Sequence, residues 1–172
     1  MIIDSGELGN LQQDLEGASV ALRLGSYDVL HAGHQEGIQY AASQADILVV
    51  GVMPDSYVAR VKGPGRPLNS EGYRVEAIDA AEAVDYSFVA PGTVLGLARV
   101  VQALKPAVYV EGSEHARRTG LLKAGMLGLM GVEYVRDWQN NPESTSLMVA
   151  RFGREEALAR SSLHFHFAEG AA

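Results

Sequence analysis

Apolar positions along the chain alternate between two kinds of segment. The runs Val20–Gly25, Ile47–Val52 and Tyr86–Val89, with residues 107–111 and 133–135, are short, nearly continuous and rich in β-branched residues. This is the signature of strands buried on both faces of a parallel sheet. Between them the spacing turns helical, over residues 33–43 with Ile38, Ala41 and Ala42 inward, over 70–83, over Val94–Leu104, over 120–130 and over 144–152. A sparser helix precedes the first strand at residues 8–15, and Pro106 marks the exit of the helix before the fourth strand. Residues 53–69 are rich in Pro and Gly and predict a long loop preceded by a short helical stretch. Strands alternating with helices predict an α/β fold: a doubly wound, Rossmann-like, mostly parallel five-stranded sheet flanked by helices. With no internal repeat or linker, the 172 residues read as one domain with a core at 20–152 and a C-terminal tail at 153–172.

Composition narrows the function classes. The chain is 47% hydrophobic and 20% charged, which is enough to bury a core and argues against intrinsic disorder. A net charge of −7 argues against a nucleic acid polymer or an anionic membrane as partner, while small anions remain open. The absence of cysteine excludes disulfides, Cys-ligated metals and thiol nucleophiles, and fits a reducing cytoplasm. The N-terminus has neither the basic start nor the apolar core of a signal peptide, and no stretch approaches the ~18 apolar residues of a membrane span. A soluble cytoplasmic protein is expected.

In doubly wound sheets ligands bind beyond the carboxyl ends of the strands. The segment Gly25-Ser26-Tyr27-Asp28-Val-Leu-His31-Ala-Gly33-His34 runs from the first strand into the first helix and falls at such a place. Backbone N–H groups and the dipole at a helix start favour phosphate, and Gly33 lets a ligand approach the backbone. Taken alone, the histidine pair also fits a hydrogen-bonded structural pair or a metal site. Ser144-Thr145-Ser146, after Pro142, reads either as an ordinary helix cap or as a second anion cradle. Four of the 14 basic residues, Arg60, Lys62, Arg66 and Arg74, lie within one short stretch. Arg117-Arg118 reads as a solvated pair, Trp138 as packing near the site rim, and His164-Phe-His166-Phe167 as an edge strand or partly ordered tail without metal.

The stretch from Gly25 to His34 resembles the H-x-G-H signature of the cytidylyltransferase-like nucleotidyltransferases, where Gly-x-Phe-Asp usually precedes it. Lys62-Gly-Pro-Gly-Arg66-Pro-Leu-Asn69, Arg74, the residues 83–86, the residues 105–112 and Glu143-Ser-Thr-Ser146 are similar, in order, to the heptose-phosphate adenylyltransferase domain of ADP-heptose synthases. The resemblance covers residues 20–152 and implies transfer of a nucleotidyl group from a nucleoside triphosphate to a phosphorylated sugar or alcohol, releasing pyrophosphate. It implies that His31 and His34 bind the triphosphate and steady charge on the leaving pyrophosphate, and that Lys62 closes over the phosphates on a mobile loop. It further implies nucleotide contacts at Gly25, Ser26, Tyr27, Gly33, Gly112, Glu114, Ser144, Thr145 and Ser146, and substrate contacts at Arg66 and Arg74. Magnesium, or another divalent cation, held by phosphates and water and touched at most by Asp28, is expected as cofactor, and a homodimer as the assembly.

Three positions depart from the family pattern. Tyr27 stands where Phe is usual; Ala107-Val-Tyr-Val-Glu111-Gly-Ser-Glu114 stands in place of Asp-Val-x-Val-Lys-Gly-x-Asp; and Asn141-Pro-Glu143 replaces a glycine. The second bears on nucleotide and acceptor preference. A cytidylyltransferase for an alditol or alcohol phosphate is the alternative, and a non-catalytic nucleotide-binding regulatory module is the alternative from another class. Fingerprints for dinucleotides, for P-loop NTPases and for the hydrolase nucleophile elbow are absent.

Overall fold

The computed structural model describes residues 1–15, 17–137 and 145–166. A 3₁₀ turn, Ser5–Glu7, leads into helix α1, Leu8–Asp14; then follow β1 (Val20–Gly25), α2 (Ala32–Ala42), β2 (Ile47–Val52), α3 (Asp55–Lys62) and α4 (Glu71–Asp79). The chain continues through β3 (Tyr86–Val89), α5 (Val94–Leu104), β4 (Val108–Glu111), α6 (Ser113–Leu129), β5 (Glu133–Arg136), α7 (Thr145–Phe152) and α8 (Arg154–His166). The sheet has the order β3-β2-β1-β4-β5. Every paired strand runs parallel.

Strand residues alternate between two cores because successive side chains point to opposite faces. Leu22, Val49, Phe88 and Tyr109 pack with Leu8 and Leu11 of α1, with Leu97, Val100, Val101 and Leu104 of α5, and with Leu127 of α6. On the other face Ala21, Leu48, Val50, Val108 and Val110 meet Ile38 and Ala41 of α2 and Val75 and Ile78 of α4. Each fully buried Leu, Ile or Val side chain contributes about 1.5–3 kcal/mol of transfer free energy. These two layers fix where the strand ends lie. The chain leaves β1 for β2 on one side and reaches β4 on the other, so a crevice opens beyond the carboxyl ends of β1 and β4.

Three sequence expectations differ from the structure. The short helical stretch expected before the Pro/Gly loop is α3, Asp55–Lys62, so Lys62, expected on the loop, is the last residue of a helix and the loop itself is residues 63–70. Helix α6 begins at Ser113 rather than near residue 120, its polar first turns having hidden it. The His-Phe alternation suggested a strand or tail, but α8 is helical through His166. Its Ala157 is buried with Val29 and Met148, and Leu68 and Leu158 pack on that cluster. Trp138 and the Asn141-Pro-Glu143 segment lie outside the described residues.

Candidate active site

The turn from β1 into α2 is built around Tyr27 and Asp28. Tyr27 adopts φ +50, unusual for a residue with a side chain. Its ring lies over Gly25, where a Cβ would come within 2.5 Å of the ring. Glycine at position 25 is therefore a packing requirement. Asp28 is fully buried, and its carboxylate accepts from Leu68 N at 2.6 Å, Asn69 N at 3.1 Å and Arg66 Nε at 2.5 Å. Asn69 Nδ2 donates to the Asp28 carbonyl at 2.6 Å. The loop carrying Arg66 is thus clasped to the β1–α2 turn.

Arg74 reinforces the clasp. Its Nε donates to the Asn69 carbonyl at 3.0 Å, one terminal nitrogen donates to the Ser26 carbonyl and the other pairs with Asp55 at 2.6 Å. The side chain is buried. Of the two arginines expected to touch substrate, Arg74 has Nε and both terminal nitrogens on internal acceptors, whereas Arg66 gives Nε to Asp28 and keeps a buried terminal nitrogen without a hydrogen bond among the described residues. Arg60 likewise donates to the Gly92 carbonyl at 3.1 Å. Asp28, expected as a point of contact for the metal, already has donors on both oxygens.

His31 is the N-cap residue of α2 and His34 lies in its first turn; no side chain caps this helix. The imidazoles stack with centroids 3.8 Å apart, and the Tyr27 ring meets His34 edge-on at 5.2 Å. His34 Nδ1 is buried with no hydrogen-bond partner among the described residues. Burial, foremost, then the charges of His31, Lys62 and Arg23, hold His34 well below the usual imidazole range, opposed by a hydrogen bond to the Val29 backbone. His34 is therefore neutral at physiological pH. Lys62, at the end of α3, acts electrostatically on this imidazole. Gly33, between the histidines, is partly accessible.

Across the crevice, Gly112 is the N-cap residue of α6, which also lacks a side-chain cap, and Glu114 lies in that helix's first turn. Two uncapped helix starts thus flank the switch point, both presenting N–H groups suited to anions. Thr145 opens α7 and Ser146 beside it is exposed, whereas Ser144 lies outside the described residues.

Two charged pairs at this end of the sheet escaped sequence reading. Arg23 of β1 pairs with Asp137, just after β5, at 3.2 Å, both buried. Lys123 Nζ donates to both oxygens of buried Glu111 at 2.9 and 2.7 Å. A charged residue inside an apolar strand is the signal that marked Arg23; its partner is 114 residues away and invisible to local pattern.

Among the described residues no three His, Asp or Glu side chains gather as a metal cage. No helix among the described residues is long and apolar enough to cross a membrane.

A parallel sheet with helix starts suited to phosphate at its switch point, histidines at one of them, defines a phosphate-binding α/β protein. The chain belongs to the cytidylyltransferase-like family, whose profile matches residues 22–156. It is similar to the bifunctional protein HldE of Mesorhizobium japonicum, 41% identical over 101 residues that cover 58% of this chain and 20% of that one. HldE of Pseudomonas fluorescens is 43% identical over 93 residues, covering 53% and 19%. The chain thus spans about one fifth of the length of the curated relatives it matches. Among solved structures, a lipopolysaccharide core biosynthesis protein from Thermoplasma volcanium superposes with a TM-score of 0.63 at 25% identity, over 73% of this chain and all of that one. A pantoate-beta-alanine ligase from Francisella tularensis shares the fold, with a TM-score of 0.60 at 15% identity over 94% of this chain and 85% of that one.

Proposed function

We propose that the chain transfers a nucleoside monophosphate group from ATP to a sugar phosphate, as in ADP-heptose-type nucleotide-sugar synthesis. The observation that carries this reading is the stacked histidine pair at the uncapped start of α2, with the His34 imidazole held neutral and the charge of Lys62 acting on it. An oxygen of the acceptor phosphate attacks the α-phosphorus; the bond to the bridging oxygen breaks and pyrophosphate leaves with the electron pair. Little covalent chemistry falls to the protein, so catalysis is positioning plus electrostatic stabilisation. His31 and His34 hydrogen-bond the triphosphate, the α2 N–H groups receive its oxygens, and Lys62 adds a compact positive charge. Magnesium, when bound, neutralises phosphate charge. On this reading Gly112, Glu114 and the Ser144-Thr145-Ser146 segment hold the remainder of the nucleotide. A homodimer, which rests on the family resemblance, and a cytoplasmic location, which rests on the cysteine-free composition, belong to the same proposal.

A pyrophosphate-release assay across ATP, CTP, GTP and UTP with sugar and polyol phosphates tests the reading. Release from ATP with a sugar phosphate is expected. Preference for CTP with an alcohol phosphate replaces it with the alditol-type reading; the Ala107 and Glu111 departures bear on that choice. Nucleotide binding without release from any pair leaves a regulatory module.

A further inference from the structure

The Arg23–Asp137 pair has no part in the mechanism above, yet its surroundings are built around it. A Cβ at Gly37, in α2, would lie 2.3 Å from Arg23 Nη2 and 2.6 Å from Asp137 Oδ2. A Cβ at Gly112, the cap of α6, would lie 3.3 Å from the same nitrogen. The backbones of both crevice helices are therefore laid directly on the guanidinium. Two charges removed from water are costly to hold, and apolar residues of similar volume commonly replace such a pair without loss of stability.

The Tyr27 ring lies over Gly25, two residues along β1 and so on the same face of the strand as Arg23. Arg23 opposes the rise that burial imposes on the Tyr27 hydroxyl. Among the described residues, Arg23 Nη1 and the Tyr27 hydroxyl are both buried without a well-formed hydrogen bond to another group. Tyr27 holds a left-handed backbone conformation that its surroundings must enforce. Its ring then meets His34 edge-on at 5.2 Å.

We propose that Arg23, anchored by Asp137 across the end of β4, is a positioning residue that holds the Tyr27 ring against His34 and so sets the imidazole at the phosphate-binding turn. The proposal rests on the nucleotidyl-transfer reading of the histidine pair. It works through three contacts in series: the ion pair fixes the guanidinium, the guanidinium fixes the tyrosine, and the tyrosine walls the imidazole.

The test is the double substitution Arg23→Met with Asp137→Leu, which removes both charges together and leaves no buried ion unpaired. Three quantities are measured: the melting temperature, kcat and KM by pyrophosphate release, and the titration of His34 by ¹⁵N NMR in the ligand-free protein. The groups acting on His34 are His31 of α2, Lys62 of α3 and Arg23 of β1, with Tyr27 against its ring. We expect a folded protein whose kcat falls at least tenfold, whose KM for the triphosphate stays within threefold, and whose His34 takes up a proton at higher pH than in the wild type. Arg23→Lys, which keeps the charge, recovers part of the kcat. A kcat within twofold of wild type overturns the proposal, as does a fall in kcat with the His34 titration unmoved. If the double variant does not fold, Tyr27→Leu decides: a tenfold loss of kcat is expected, and activity within twofold overturns the proposal. If the wild type itself releases no pyrophosphate with any pair, the nucleotidyl-transfer reading fails, while the His34 titration alone still decides whether Arg23 governs the imidazole.

Discussion

Arg66, Arg74 and Asp28 show how far a residue's role depends on its partners. All three sit in motifs that suggest ligand contact, and all three are tied to other parts of the chain, Arg66 through its ion pair with Asp28. Arg66→Ala would leave the buried Asp28 carboxylate without its cation. The expected loss is about 3–5 kcal/mol of unfolding free energy, read from urea denaturation. An Arg66 that only touched substrate would raise KM and leave the denaturation midpoint where it was. His34 supplies a second prediction at this scale. Its folded pKa is depressed, so below the unfolded value of about 6.5 the unfolded chain takes up a proton that the native protein refuses. The stability tied to His34 is full above that pH and is lost as pH falls. Urea midpoints between pH 7 and pH 5 should therefore decline more steeply for the wild type than for His34→Gln.

At the scale of elements, the parts most legible in the sequence were those whose burial is complete. Val20–Gly25, Ile47–Val52, Tyr86–Val89 and Val94–Leu104 were read with their bounds as they stand, because a strand covered on both faces is apolar throughout and α5 carries one broad apolar face. Elements with polar starts were read short or missed: α6 opens with Ser-Glu-His-Ala-Arg-Arg, and α8 with Arg-Glu-Glu. The H-x-G-H turn was legible because its chemistry is local in sequence. The clasp between Asp28 and residues 66–69 was not, because its partners lie about forty residues apart and charge counting cannot tell a structural arginine from a ligand-binding one. Gly37 belongs to this scale as well. Adding a methyl group there drives a helix against the buried ion pair, so Gly37→Ala should cost about 1–3 kcal/mol, visible as a lower melting temperature.

For the whole molecule, the order β3-β2-β1-β4-β5 divides the crevice between two halves of the chain. The β1–α2 side carries the histidines, and the β4–β5 side carries the segment where this chain departs from its relatives' pattern. There Glu111 is almost wholly buried and tied to Lys123 by both oxygens. Glu111→Lys alone would bring two ammonium groups together with no anion between them, and should lose about 3–5 kcal/mol by urea denaturation. Adding Lys123→Glu should restore most of that loss, so the coupling between the two changes will be large. In evolutionary terms the two positions behave as one heritable character: a lineage can reverse the polarity of this wall only by altering both, and either single step passes through a weakened ancestor.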